Sequence, residues 1–160
     1  MSSIDSYTQH GEEFVQRTAY NDIEVTELDF LLFNQDHSNG GGDNLDETDD
    51  VGDITTELTG SAYARQTESM PQTLSFSRVD FDGDGNDEVR VEIDGVTFDL
   101  SDDTGEDFDA IGIIATFQSS VISSDGSATD HLIGVIGVPE RNTNDYSGTV
   151  TFDNFGFDQD

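Results

Sequence analysis

Short apolar segments separated by turn residues are the feature that most constrains the fold of this chain. The segments are rich in β-branched and aromatic residues, and none keeps the 3.6-residue period of a long helix. Strands are predicted over residues 24–33, 62–67, 73–81, 89–93, 96–98, 109–118, 131–138 and 148–157. This pattern predicts an all-β fold, specifically an antiparallel β-sandwich or a jelly roll.

Three details of the pattern predict local structure. The segments 109–118 and 131–138 are the most apolar and are expected to be central strands. The apolar positions change parity around Arg78, which predicts a β-bulge there. Asp94 and Gly95 separate two alternating runs, which is typical of a two-residue hairpin.

A chain of 160 residues is long enough for one domain with a core of its own. We expect an N-terminal arm over residues 1–21 and a single β-sandwich domain over residues 22–160. Residues 34–60 show no periodicity and contain three successive glycines and an acidic run. They predict a long surface loop, of the kind that is usually functional or mobile.

The charge is strongly unbalanced, with 36 acidic residues against five arginines, no lysine and a formal net charge of −31. This argues against nucleic acid and anionic membranes as partners, because both are bound through Lys and Arg. Self-repulsion on this scale is relieved by concentrated salt. The composition therefore indicates a protein of a halophilic organism.

Several site classes are excluded by composition or lack a signal. There is no cysteine, so thiolate zinc sites and cysteine nucleophiles are excluded. The N-terminal residues do not predict a secretory signal, and no apolar run has the length of a membrane span, so we expect a soluble protein. His10, His37 and His131 lie in polar surroundings and are expected to be exposed or locally bonded.

One acidic segment resembles the first nine positions of a calcium-binding loop. Asp80, Asp82, Asp84, Asn86 and Glu88 alternate around two glycines, so their oxygens could surround a hard cation such as Ca²⁺ or Mg²⁺. The twelfth position, which is glutamate in an EF-hand, is Val91. The alternative is a solvated acidic turn without a specific ion. No catalytic residue is indicated, and no cofactor is expected to be required.

Other segments resemble small structural proteins of tailed bacteriophages. The resemblance covers roughly residues 28–138 and lies in short pieces at 31–36, 53–58, 60–66, 96–98, 108–114 and 131–136. The piece at 60–66 contains Tyr63, Ala64, Arg65 and Gln66. The resemblance implies a virion component, and together with the acidic composition it implies a virus of halophilic archaea.

The leading expectation is therefore a non-enzymatic capsid or tail accessory protein, such as a decoration, turret or vertex protein. It would be assembled in the host cytoplasm as a symmetric oligomer, with copies of itself and other virion proteins as partners. The scarce arginines, namely Arg17, Arg65, Arg78, Arg90 and Arg141, are expected to pair with carboxylates. The alternative is a calcium-binding extracellular or adhesion-type β-domain of a halophile. A small hydrolase ranks last.

Overall fold

The structure is a computed structural model that describes residues 2–3, 6–7, 11, 25–70, 74–79, 88–102, 104–117, 130–153 and 155–159. Strands dominate these residues, which confirms the all-β prediction. They are β1 (Ser2–Ser3), β2 (Ser6–Tyr7), β3 (Val25–Phe33), β4 (Gln66–Ser69), β5 (Leu74–Val79), β6 (Glu88–Ile93), β7 (Val96–Asp99), β8 (Asp107–Phe117), β9 (Asp130–Asn142), β10 (Thr149–Phe152) and β11 (Phe155–Gln159). Single 3-10 turns lie at Val51–Asp53 and Thr143–Asp145.

The strands form three sheets. The largest has five strands in the order β2-β9-β8-β3-β4, and all of its pairings are antiparallel. A second sheet has the order β1-β11-β6-β5, with β1 parallel to β11 and the other pairs antiparallel. Strands β10 and β7 form a separate antiparallel pair. The two described strands within residues 1–21 pair with their own chain, since β1 joins β11 and β2 joins β9.

The main core lies on one face of the five-stranded sheet, called the inner face below. Side chains of β3, β8 and β9 meet Ile93 of β6 and Val96 and Phe98 of β7 there, all of them buried. Phe98 stacks on Tyr63 and meets Phe152 of β10 edge-on, with ring centroids about 6 Å apart in both pairs. The long apolar runs predicted as central strands are β9 and β8, the second and third strands of this sheet.

Two local predictions were wrong. Asp94 and Gly95 do not close a hairpin, because β6 pairs with β5 and β11 whereas β7 pairs with β10. The dipeptide carries the chain from one sheet to another. The bulge predicted near Arg78 is also missing, since β5 and β6 keep an unbroken register from Leu74↔Ile93 to Val79↔Glu88.

Two other strands differ in extent from their predictions. The strand predicted at 62–67 begins only at Gln66. The strand predicted at 148–157 is divided at Asp153 into β10 and β11, which belong to different sheets.

Candidate functional site

The long loop between β3 and β4, residues 34–65, covers the second face of the five-stranded sheet. This outer face carries a second buried cluster, made of Leu31, Phe33, Ala110, Ile114, Leu132 and Val135. Leu45, Val51 and Ile54 of the loop are partly buried against it. We call residues 34–65 the covering loop. It is therefore part of the packed structure and more than the surface excursion that its composition predicts.

Carboxylates attach the covering loop to itself and to the sheet. Both oxygens of Asp109 on β8 accept backbone N–H groups of the loop, from Gln35 at 2.6 Å and from Asp36 at 3.0 Å. Asp43 accepts the backbone N–H groups of Thr55 and Thr56, each at 3.1 Å. Acceptor-only side chains are suited to this role because loop N–H groups have no strand partner.

Asp50 joins the middle of the covering loop to β9. Its Oδ2 lies 2.8 Å from Nδ1 of His131, and its Oδ1 accepts the Leu132 N–H at 2.7 Å. Partial burial alone would raise the pKa of Asp50, but the hydrogen bonds from Leu132 and His131 outweigh it and hold the pKa below its usual value. Asp50 is therefore an ionised acceptor at neutral pH.

The prediction that the histidines are exposed or locally bonded is wrong for His131. Its side chain is only 1% exposed, and its partner Asp50 is 81 residues away in the sequence. His37 is also buried, although its Nδ1 accepts a local bond from the Asn39 N–H. His10 lies outside the described residues.

The C-terminal part of the covering loop is held by Tyr63. Its hydroxyl accepts the Leu32 N–H at 2.9 Å and donates to Glu57 at 3.2 Å. Burial raises the pKa of Tyr63 far above its usual value, so the hydroxyl remains a donor. Arg65 donates to both oxygens of Glu57, at 2.9 and 2.6 Å. This bidentate pair agrees with the expectation for Arg65, whereas Arg141 donates to the backbone carbonyl of Glu140.

The first three segments that carry the phage resemblance meet at this point. Leu58 of the second segment donates its N–H to the Leu32 carbonyl of the first at 3.1 Å. Thr56 donates its hydroxyl to the Asn34 carbonyl at 2.7 Å. Tyr63 of the third segment holds Leu32, and Arg65 holds Glu57. The three segments therefore form one hydrogen-bonded unit, which we call the loop anchor.

A bulge in β9 opens a groove beside the beginning of the covering loop. The pairs Ala110↔Gly137 and Phe108↔Arg141 leave three residues of β9 opposite the single residue Asp109. Pro139, which has no N–H for the ladder, is among them. The groove has a volume of about 360 Å³ and is lined by Gln35, Asp36, Asp109, Ala110, Val135, Gly137, Val138 and Glu140.

The polar side chains around this groove are held in fixed positions. Glu140 accepts the Ser38 N–H and hydroxyl, both at 2.7 Å. These bonds hold the pKa of Glu140 below its usual value. Asp107 accepts from Asn142 at 2.7 Å and from Asn39 at 3.2 Å, and the bond from Asn142 is the main cause of its lowered pKa. Glu140 therefore faces the groove as an ionised hydrogen-bond acceptor at neutral pH.

The proposed calcium ligands are mostly outside the described residues. This applies to Asp80, Asp82, Asp84 and Asn86, whereas Glu88 is the first residue of β6 and its backbone pairs with Val79. Residues 80–87 thus connect two paired antiparallel strands. Among the residues that the structure describes, no group of three or more His, Asp or Glu side chains could hold a metal ion.

Sequence reasoning missed the carboxylates that position the loop. Asp109 accepts the N–H groups of Gln35 and Asp36, which lie 74 and 73 positions earlier in the sequence. No local motif marks such a contact. Part of the role of Asp50 could have been predicted from the local sequence, because Asp50 and Asp53 form a capping box around the 3-10 turn at Val51–Asp53.

Comparisons with known proteins identify no relative: no family model, curated protein or solved structure matches the chain. In the part of the chain that the structure describes, no helix is long and apolar enough to cross a membrane.

Proposed function

We propose that this chain is a non-enzymatic structural protein of the virion of a tailed virus, acting as a capsid or tail accessory protein in high salt. The proposal includes a symmetric oligomer on the capsid, as a decoration, turret or vertex protein. Its partners are copies of the chain and other virion proteins.

The loop anchor is the observation that carries the proposal. Three segments that resemble phage structural proteins are separated in sequence, yet they share hydrogen bonds through Leu32, Thr56, Tyr63 and Arg65. The pieces that carry the resemblance therefore lie together in one structural unit. The charge of −31 is consistent with a particle assembled at high ionic strength.

We further propose that the sheets are the layers of a β-sandwich. Buried residues of the five-stranded sheet share one cluster with Ile93 of the four-stranded sheet and with Phe98 of β7. The N-terminal strands also pair with both larger sheets, as expected where the chain passes between two stacked layers.

The first test is mass spectrometry of peptides across a density gradient of virus particles from the source culture. Co-sedimentation with the major capsid protein, in stoichiometric amounts, is the expected result. Recovery only from the soluble or cell-surface fractions would overturn the virion role.

A variant of the loop anchor tests the same proposal at one residue. Arg65→Ala removes a bidentate ion pair between an exposed guanidinium and the partly buried Glu57, and its loss is expected to cost about 1 kcal/mol of folding free energy. We expect folding to persist while incorporation into particles falls. Arg141→Ala is the control, since Arg141 is an exposed arginine outside the matched segments. Equal incorporation of the Arg65 variant and the wild type would contradict the assignment.

The second candidate is a calcium-binding extracellular or adhesion-type β-domain of a halophile. It is favoured by the pairing of Val79 with Glu88, which places the Asp80 to Glu88 motif between two paired strands. A bound ion would stabilise the folded state by RT ln(1 + c/Kd), where c is the free ion concentration and Kd is its dissociation constant. Chelation at fixed ionic strength is then expected to lower Tm, and Asp82→Asn is expected to abolish that effect. An unchanged Tm would reject this candidate.

A further inference from the structure

We propose that the groove at the β9 bulge docks an extended segment of a partner protein that presents an arginine or lysine beside small apolar residues. The inference extends the proposed function by naming the chemistry of the partner. It rests on that proposal only for the expectation that the chain has a protein partner.

The groove suits a narrow apolar segment, which would meet mainly Gly137 and Val138, because Ala110 is 0% and Val135 only 6% exposed. Ala110 and Val135 are buried, Val138 is half-buried and Gly137 is exposed without a side chain. A volume of about 360 Å³ is near the lower end of the range of ligand pockets. It accommodates a few residues of a peptide and no folded domain.

The rim of the groove selects the charge of the partner. Asp36, Asp109 and Glu140 are the charged residues of its lining, and none of the lining residues is basic. His37 lies near Glu140, with 4.0 Å between Nε2 and Oε2. The lining itself contains no arginine or lysine, so a guanidinium or ammonium group of a partner would complement its negative charge.

The carboxylates are also positioned before any partner arrives. Two Ser38 donors orient Glu140, and two backbone N–H groups orient Asp109. Carboxylates held in this way lose little conformational entropy when a cation binds. Ser38, Gln35 and Asp36 belong to the covering loop, so the loop that seals the outer face also shapes the groove.

The experiment is an NMR titration with a short capped peptide that presents an arginine between two valines. A second peptide, with glutamine in place of the arginine, is titrated in parallel. Salt near 0.5 M limits non-specific attraction to a chain this acidic, since the Debye length is then only a few ångströms. We expect the arginine peptide to shift the amide signals of Ala110, Gly137 and Val138, and the glutamine peptide to bind about tenfold more weakly.

Two sets of variants separate docking from general charge attraction. Asp36→Asn with Glu140→Gln is expected to weaken binding about tenfold, whereas Glu47→Gln with Asp153→Asn removes the same charge at exposed positions elsewhere and is expected to change nothing. Val138→Thr keeps the shape and the charge of the groove but makes its wall polar. Docking predicts weaker binding to this variant, and pure charge attraction predicts no difference.

Three results would overturn the inference. The first is an equal loss of binding in the two double variants. The second is that guanidinium ion alone produces the same shifts as the arginine peptide. The third is that the groove signals shift with protein concentration in the absence of peptide. The second result would indicate a small-cation site and the third a contact between copies of the chain. Co-sedimentation with virions together with any of them would leave the virion role intact and reject only the groove.

Discussion

At the scale of single residues, Gly42 and Gly52 differ in what surrounds them. Asn44 donates its N–H to the Gln35 carbonyl, which brings the backbone of Gly42 against that of Gln35. A Cβ at Gly42 would overlap the Gln35 carbonyl and lie 2.9 Å from the Asp36 nitrogen, whereas a Cβ at Gly52 would meet nothing within 4 Å. The two glycines therefore offer a matched pair of substitutions within one loop.

We expect Gly42→Ala to lower the free energy of unfolding by about 2–3 kcal/mol, because backbone atoms must move to admit the methyl group. Gly52→Ala is expected to stay within about 0.5 kcal/mol of the wild type. Urea unfolding of both variants measures the difference. Equal stabilities would show that residues 34–44 are not paired as described.

Asp50 gives a prediction that depends on pH. Its pKa is depressed in the folded state, so its stabilising contribution is complete above the unfolded value of about 3.9 and is lost as the pH falls through the lower folded value. Asp50→Asn is expected to cost about 1–2 kcal/mol at pH 7. The difference in the free energy of unfolding between the variant and the wild type should become smaller below about pH 4.

The comparison of Asp50→Asn with the wild type at each pH cancels the general effect of titrating the other acids. Urea midpoints at a series of pH values supply the measurement. A gap that is constant down to about pH 2.5 would mean that the contact with His131 and Leu132 contributes nothing through its charge.

At the scale of elements, the covering loop packs over the outer face of the five-stranded sheet. Ile54→Ser removes one of the apolar side chains that cover this face and is expected to cost about 1 kcal/mol. The expected signs are faster amide hydrogen exchange at Thr55 and Thr56 and increased binding of a hydrophobic dye. Glu47→Ser, at an exposed position of the same loop, should leave both unchanged.

An element could be predicted from the sequence where neighbouring residues determine it. It could not be predicted where contacts between distant residues determine it. Strands β8 and β9 were predictable because continuous β-branched runs mark buried strands. The packing of Leu45, Val51 and Ile54 over the outer face was not predictable, since these residues show neither the strand nor the helix periodicity. The hairpin prediction at Asp94 and Gly95 failed because a signal of two residues does not determine which strand Val96 will join.

The same argument applies to the sites. Pairing of Arg65 with a carboxylate followed from the scarcity of cations, and Glu57 is only eight residues away. The groove depends on Asp109 and on a bulge opposite it, both of which arise from contacts between distant segments.

At the scale of the whole molecule, the net charge of −31 opposes compaction in dilute buffer. The urea midpoint at pH 7 is therefore expected to rise between about 0.1 M and 1 M KCl, as the Debye length falls from about 10 to about 3 Å. At about pH 3 most carboxylates are protonated, so the same increase in salt should have a much smaller effect. A midpoint at pH 7 that does not respond to salt would contradict this account.

The pairing of β1 with β11 has a consequence for the order of folding. Ser2 lies beside Phe155, so the four-stranded sheet closes through a contact between segments at opposite ends of the sequence. Contacts of such separation carry a large loop-closure entropy and form late. The loop anchor, by contrast, joins residues only 8 to 31 positions apart. During synthesis on the ribosome, Ser2 and Ser3 must therefore wait for residues 155–156 to emerge, after the loop and its anchor have already had time to form.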